Sequence, residues 1–444
     1  MSEITQAGGD SRRRFLQTGL MAAGAALASD WRSRRAFAAA NDAVVGAGNR
    51  VKMGFIGVGN MGGAHLSYFL KQKDALNVEV VAVSDCYSVR LDKAKAKVVE
   101  AGNANVATYA DYRKLLDDKN VDAVLVATPE HWHAKMLMDA LDAGKDIYLE
   151  KPLCLKFEDA KKCWEFWRTK HKDRVVQLGN QNSSDPKFLR IHELLPQIGH
   201  LVWSQNSYCR NTPTGEWNSK IDDDAAGKID WKMFTGCEFG LAPDRPFDAE
   251  RFFRWRKYWD YSSGICGDLL AHRIFPYLIA IYGTGMPQLP KRVTANGGNY
   301  VHKTDREVPD TFLMTCDYPD DHTIFLAGST ENEKGVEPMI RGQKAQIEFL
   351  AEAGGKISLT PQRPFSDDLD PLSENAPDVN PQLHEPHRNN FIDCVRSRKQ
   401  TNCHMDLAYA GMVALALADL SYRHSMTCNF DPVKGELLNP PKAE

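Results

Sequence analysis

Beyond residue 40 the chain has no apolar run approaching the roughly 20 residues that a membrane-spanning helix needs, which argues against a span there. It also lacks any Lys/Arg-rich run in its body. The formal net charge is -3, and residues 1–40 carry six Lys/Arg and three Asp/Glu, so the remainder holds 49 basic against 55 acidic residues, or -6. A mildly acidic chain without basic clusters argues against nucleic acid as a partner. No C-x-x-C pair and no internal repeat is present, which removes the usual thiol-redox and solenoid signatures. What is there is ordinary globular material. With 444 residues, 43% of them hydrophobic, the chain can bury a real core, and its length suggests two or three domains at about 150 residues each.

The N-terminus carries a pattern of its own. Ser11-Arg12-Arg13-Arg14-Phe15-Leu16-Gln17 precedes a weakly hydrophobic Ala/Gly stretch from Gly19 to Ala28, then a short basic segment and Ala36-Phe37-Ala38-Ala39-Ala40. This resembles a twin-arginine (Tat) export signal with an A-x-A cleavage site. The resemblance implies a periplasmic or otherwise exported protein that meets the Tat translocase on its way. Residues 1–40 are therefore set apart from the fold, and 41–50 read as a linker. Tat substrates fold in the reducing cytoplasm, so the ten scattered cysteines are expected to be packed thiols and not a disulfide framework.

From residue 51 strands alternate with helices of about 10–15 residues, the mark of βαβ units and a parallel sheet. Strands are expected at Val51–Gly59, Val78–Asp85, Ala123–Pro129, Asp146–Pro152 and Val175–Leu178, with helices at Asn60–Lys71, Ser88–Ala101, His133–Ala143 and Glu158–Lys170. Beyond Asn180 the pattern changes. Strand-like runs at Leu201–Tyr208, Val293–Val301, Thr311–Tyr318, Thr323–Ser329 and Gln346–Leu350 have few helices between them. The fold class is thus α/β: an N-terminal Rossmann domain over 51–180 and a C-terminal α+β domain with a largely antiparallel open sheet over 181–430, then a tail over 431–444. Segment 210–260, dense in Trp, Arg, Asp and Gly, reads as a long irregular excursion near the site. Segment 361–386 reads as a surface loop, and helices near Pro386–Ser397 and Asp406–Tyr422 close the chain.

Gly57-Val58-Gly59-Asn60-Met61-Gly62 follows the first strand, opens the first helix, and lies 23 residues before Asp85 at the end of the next strand. That context is the dinucleotide fingerprint: the glycines allow a tight turn and close backbone approach, and a pyrophosphate meets a helix N-terminus. Gly57, Gly59, Asn60, Met61, Gly62 and Asp85 are therefore cofactor-binding candidates. A carboxylate at Asp85 accepts hydrogen bonds from both ribose hydroxyls and repels a 2′-phosphate, which favours NAD, while Arg90 keeps NADP open.

Three further pieces complete the set. Glu150-Lys151-Pro152 ends one strand on the cofactor side, Thr128-Pro129-Glu130-His131-Trp132-His133-Ala134 ends the previous one, and Gly264-Ile265-Cys266-Gly267-Asp268-Leu269-Leu270-Ala271-His272 opens a helix in the second domain. In this order and spacing they resemble the glucose–fructose oxidoreductase/inositol dehydrogenase (Gfo/Idh/MocA) family over roughly residues 51–424. His387-Arg388-Asn389-Asn390-Phe391 looks like that family's closing helix. The resemblance maps Lys151, Asp268 and His272 onto the catalytic lysine, aspartate and histidine, adds Thr128, Pro129, His133 and Glu150 to the cofactor contacts, and implies a homo-oligomer. Phe275 departs from the pattern, because relatives often carry an acid there, and Pro276 should bend or break the helix.

The chemistry also stands on the residues themselves. Asp268 and His272 are i and i+4 on one helix and share a face. Alcohol oxidation needs a base for the hydroxyl proton, a role that suits histidine, while the Lys151 ammonium can hold the substrate oxygen. Asp268 would anchor a neighbouring hydroxyl or orient His272. His131 and His133, without further spaced ligands, do not make a metal site; on a loop facing the nicotinamide they would touch ribose or substrate. Trp255 and Arg256 could supply a stacking face and a hydroxyl-binding fork. The leading reading is an oxidoreductase acting on a secondary alcohol of a sugar, polyol or glycoside. Glycoside cleavage through transient oxidation and a non-catalytic nucleotide sensor remain open. An exported dehydrogenase cannot exchange its nucleotide with a cellular pool, so the cofactor is expected to be tightly held.

Overall fold

The computed structural model describes residues 49–441; the export signal expected over residues 1–40, and most of the linker after it, lie outside them. Strands β1 (Val51–Ile56), β2 (Val78–Ser84), β3 (Ala107–Tyr109), β4 (Ala123–Val126), β5 (Asp146–Glu150) and β6 (Val176–Gly179) form one sheet in the order β3-β2-β1-β4-β5-β6. All five junctions are parallel. The connections are α1 (Asn60–Lys71), α2 (Ser88–Glu100), α3 (Tyr112–Asp117), α4 (Glu130–Asp142) and α5 (Phe157–Lys170). Helices on both faces explain why β4, β5 and β6 are buried at every residue. Strand order reverses between β1 and β4, and in such sheets ligands bind at the carboxyl ends of the strands flanking that switch.

Four more helices of eight or more residues follow: α6 (Lys187–Leu194), α7 (Ala271–Tyr282), α8 (His384–Ser397) and α9 (Met405–Arg423). The second sheet has ten strands in the order β14-β13-β12-β11-β7-β10-β9-β8-β15-β16. These are β7 (Leu201–Cys209), β8 (Arg292–Gly298), β9 (Thr311–Asp317), β10 (Thr323–Ser329), β11 (Met339–Gly342), β12 (Ala345–Phe349), β13 (Lys356–Pro361), β14 (Leu372–Asn375), β15 (Cys428–Asp431) and β16 (Glu436–Leu437). It is antiparallel except where β7 meets β10. The segment read as a surface loop over 361–386 is shorter than expected, because Leu372–Asn375 pairs with β13 as an edge strand. Pro386 sits inside the first turn of α8, where its missing N–H costs nothing.

Helix α9 is the pivot of the core. Fifteen of its 19 residues are buried, as a helix apolar all round requires, and it packs on β8, α5 and α7. Gly411 lets α7 come close, since a Cβ there would stand 2.2 Å from the Phe275 ring. Phe275, where relatives often carry an acid, is fully buried in this contact and faces the core.

Helix α7 continues through Pro276, against the expectation of a break. A π-helical turn, Cys266–Leu270, leads into it, and two asparagines after β6 serve the loosened backbone. Proline offers no N–H to the His272 carbonyl one turn earlier; Asn182 Nδ2 donates to it at 3.0 Å, and Asn180 Nδ2 donates to the Ala271 carbonyl at 2.9 Å. Asn182→Ala should therefore cost about 1–3 kcal/mol, the penalty of an unmade buried hydrogen bond. In a Pro276→Ala background the restored N–H should shrink that cost, and equal costs in both backgrounds, measured by urea denaturation, would contradict the account.

Candidate active site

One cavity of about 640 Å³ lies where the carboxyl ends of β1, β2, β4 and β5 face the second domain. Gly57, Gly59, Asn60, Met61, Asp85, Thr128, Pro129, Glu150, Lys151, Trp255, Arg256, Asp268 and His272 all line it. Residues from the two domains thus line one cavity. Gly57 adopts φ +79, and a Cβ would sit 2.7 Å from the Ala127 carbonyl; at Gly62 a Cβ would stand 1.8 Å from the Gly57 carbonyl. Both positions need glycine, and Gly62 acts by close helix–strand packing without lining the cavity. This cradle, with Asn60 and Met61 opening α1, fits a dinucleotide pyrophosphate.

Asp85 is 7% exposed. Its Oδ2 accepts from the Val58 N–H and its Oδ1 from the Tyr87 N–H, both at 2.9 Å, which fixes the carboxylate and leaves lone pairs for a ribose diol. Burial pushes its carboxyl up, opposed in part by the Arg90 charge and these two bonds. Arg90 lies among the rings of Phe252, Tyr87 and Phe253 at 4.9, 5.5 and 5.7 Å. Two of those rings come from the excursion over 210–260, which carries short helices at Trp231–Thr235 and Ala249–Phe253. It is tied to the first domain by backbone: the Ser88 N–H donates to Lys228 O and the Asp230 N–H to Cys86 O, beside a Tyr87–Ile229 bridge.

The catalytic candidates meet at Asp268. Lys151 Nζ donates to Asp268 Oδ1 at 2.7 Å and to its backbone carbonyl at 2.6 Å. Arg256 Nε donates to the same Oδ1 at 3.1 Å, and Trp217 Nε1 to Oδ2 at 3.2 Å. Burial alone would raise the Asp268 carboxyl, but the charges of Lys151 and Arg256 outweigh it and hold it well below the carboxylate range. Asp268 therefore organises cations; no bond from it orients His272. The His272 ring stacks on Tyr208 at 5.6 Å, and its Nδ1 is buried with no hydrogen-bond partner among the described residues. That leaves Nε2 as the nitrogen able to meet a substrate. Burial, helped by the Lys151 charge, pushes this imidazole well below its ordinary 6.5, so it is neutral at neutral pH.

Behind Lys151, Arg388 Nε donates to His65 Nδ1 and His65 Nε2 donates to Glu150 Oε1, each at 2.7 Å. A guanidinium can only donate, so Nδ1 accepts and Nε2 carries the hydrogen. Burial opposes ionisation of Glu150, yet the His65 bond and the neighbouring Lys151 charge keep it below its usual range.

Two residues expected at the cavity do not line it. The loop expected to hold His131 and His133 is the first turn of α4, which starts at Glu130 because that buried carboxylate is held by Ser262 Oγ, Ser263 N and Ser263 Oγ. His131 Nε2 bonds the Phe234 carbonyl at 2.8 Å inside an aromatic cluster. The His133 nitrogens face the Pro152 and Thr128 carbonyls at 2.5 and 2.9 Å. Neither ring lines the cavity; both brace the loops that do. Arg256 is corrected as well, since part of its fork is taken by Asp268. The residues that sequence reasoning missed are Trp217, Tyr208, Arg210, Glu216, His65 and Arg388. Trp217 holds φ +65, a conformation that costs a bulky residue about 1–3 kcal/mol and persists where the surroundings enforce it.

Comparison with known proteins decides the family. Residues 51–179 match the model of the Gfo/Idh/MocA oxidoreductase family, NAD-binding Rossmann fold, and residues 217–444 match the family's C-terminal alpha/beta domain. The chain belongs to the Gfo/Idh/MocA family. Among curated relatives, a glycosyl hydrolase family 109 protein of Shewanella sp. (strain ANA-3) is 27% identical over 191 residues, 41% of this chain and 39% of that protein. An alpha-N-acetylgalactosaminidase of Shewanella oneidensis is 28% identical over 185 residues, 38% of this chain and 39% of its own. The matched part thus spans about two fifths of these relatives. Among solved structures, levoglucosan dehydrogenase in complex with NADH and levoglucosan covers 88% of this chain and 100% of its own, with a TM-score of 0.61 at 16% identity, and so shares the fold.

Within this Gfo/Idh/MocA site the shared carboxylate carries a measurable load. Asp268→Ala leaves Lys151 and Arg256 facing each other without an anion, which should destabilise the protein by about 3–5 kcal/mol. Arg256→Ala should cost clearly less, and the reverse ranking in chemical denaturation would show that Asp268 is not the hub.

Proposed function

We propose that the protein transfers a hydride between a secondary alcohol of a sugar, polyol or glycoside and NAD. The observation that carries this reading is the convergence of the glycine cradle, Asp85 and the Lys151–Asp268–His272 set on one cavity. The cradle residues and Asp85 would hold the dinucleotide, with Thr128, Pro129 and Glu150 along the nicotinamide half. When bound, the nicotinamide supplies the hydride acceptor or donor. Lys151 Nζ, kept in place by Asp268, holds the substrate oxygen and stabilises charge developing on it. Neutral His272 takes the hydroxyl proton at Nε2 and returns it in the reverse direction.

Lys151→Met and His272→Ala should each lower turnover about 10²–10⁴-fold with nucleotide binding retained. Because burial disfavours the His272 imidazolium, protonation removes the base only at low pH; the acid limb of kcat/KM should lie below pH 6.5 and vanish in His272→Ala. Full activity in both variants, or an acid limb above pH 7 that survives the substitution, would sink the assignment.

The named glycosyl hydrolase relatives support a second reading, cleavage of a glycoside through transient oxidation, in which the hydride returns to the same substrate. Both readings share the first step. Net accumulation of NADH with a free sugar supports the first, and sugar release without accumulation the second. The carboxylate at Asp85 supports NAD over NADP, which competitive binding of the two nucleotides tests.

The reading extends to location. We propose that the chain is exported by the twin-arginine route and carries its nucleotide with it. Two features support retention: the excursion is bonded to the backbone beside Asp85, and its Phe252 and Phe253 line the cavity there. Protein purified from the periplasm without added nucleotide should release close to one NAD or NADH per chain on denaturation. Empty protein, or mature protein still exported after Arg12→Lys and Arg13→Lys, would overturn this extension.

A further inference from the structure

The part of the cavity next to His272 is built from side chains that are already paired. Lys151 and Arg256 share Asp268, and Arg210 Nη1 bonds Glu216 Oε1 at 2.8 Å while its Nη2 bonds the Tyr208 hydroxyl at 2.8 Å. With Glu150 counted beside Lys151, three cations face three carboxylates. His272 is neutral, for the reasons given above. The region thus has no net positive charge to draw an anionic substituent, and the carboxylates its cations hold, Asp268 and Glu216, are themselves largely buried.

What this region offers instead is aromatic surface. Trp217 is fixed from three sides. Its backbone stands at φ +65, its indole N–H is taken by Asp268 Oδ2 at 3.2 Å, and the guanidinium of Arg306, itself buried and bonded to Asp305, lies 5.9 Å from the ring centroid. Trp255, under the Arg256 guanidinium at 4.2 Å, lines the same region. A rigid indole beside a hydrogen-bonding carboxylate and ammonium matches a pyranose, whose ring presents C–H bonds on a face and hydroxyls around its edge.

We infer that the substrate is an uncharged pyranoside whose ring stacks on Trp217, and that sugars bearing a carboxylate or phosphate are excluded. This rests on the reading of the cavity as a sugar site and narrows it. Trp217 is then the residue that sets specificity: its Nε1–H on Asp268 Oδ2 places the stacking face in register with the Lys151 ammonium. An anionic substituent would meet cations already neutralised by Asp268 and Glu216 and would compete with those carboxylates for them.

The test measures binding to the NAD-loaded protein without relying on turnover. Methyl pyranosides of the gluco, galacto and 2-acetamido-galacto series are compared with their C6 carboxylates by calorimetry, with tryptophan fluorescence as a second readout. In whichever series binds, the neutral sugar should bind at least about tenfold more tightly than its carboxylate. Trp217→Leu should raise its Kd about tenfold or more, whereas Trp217→Phe, which keeps a ring and loses the N–H, should fall between; NAD affinity, measured alongside, reports that each variant is folded. A carboxylate binding as tightly as the neutral sugar, no binding by any member of the panel, or a folded Trp217→Leu with unchanged sugar affinity overturns the inference. Neutral sugar that binds without any redox change at the nicotinamide would count against the hydride-transfer reading and leave this one standing; NADH formed only from the carboxylates would do the reverse.

Discussion

A single carboxylate, Asp268, joins the two halves of the site. Lys151 comes from the end of β5 in the parallel sheet, Arg256 and Trp217 from the excursion of the second domain, and all three donate to it. Two cations this close to each other repel unless an anion stands between them, so the geometry of Lys151 exists only when the second domain is in place. The π-helical turn that presents Asp268 has its own requirement, because the carbonyls that follow it at Ala271 and His272 take hydrogen bonds from Asn180 and Asn182. Those asparagines follow β6 directly. The helix that carries His272 is thus completed by the chain leaving the first sheet.

The coupling also runs the other way. Helix α8 returns from the second domain and packs Phe391, Ile392 and Val395 against the sheet face that holds Met53, Phe55 and Leu125. Tyr68 donates to Asn389, and Arg398 bonds both oxygens of Asp146 at 2.7 Å. Through Arg388 and His65 this same helix reaches Glu150, one residue before the lysine that contacts Asp268. Glu150, next to the lysine, is braced from behind by a neutral imidazole, and the lysine itself is held from the front by a carboxylate. The first domain therefore lacks part of its own wall until residues some 300 positions later have folded back.

How much of this could be read from the sequence follows from how local each interaction is. The glycine cradle, Asp85, Glu150-Lys151-Pro152 and Asp268…His272 were legible because each is a strand end or helix start whose signal lies within a few residues. The parallel sheet was legible because its strands are buried on both faces and read as continuous apolar runs. Short pairings such as β11, β14 and β16 were not, since two to four residues carry no periodicity. His131 and His133 were misplaced by three residues of helix start: Glu130 looked like a loop residue until Ser262 and Ser263, over 130 positions away, supplied its donors. Pro276 was misjudged because the donors that make it tolerable lie about 90 residues upstream. No local pattern marks Trp217, whose role depends on a partner 51 residues away and on a backbone conformation that its residue type disfavours.

The excursion explains why nucleotide and substrate regions cannot form independently. Its apolar side is a cluster of Phe234, Phe252, Tyr261, Ile229 and Ala225 closed by Tyr87 from the first domain, so the segment has no core without the residue two places beyond Asp85. Its other side delivers Trp217, Trp255 and Arg256 to the cavity. Because one of the two hydrogen bonds that fix Asp85 comes from the Tyr87 N–H, one residue anchors both that carboxylate and the segment walling the rest of the cavity. Ordering the nucleotide pocket and ordering the substrate wall are then one event. With the cluster around Tyr87 closed, both halves of the cavity are set, and loosening either one disturbs the other.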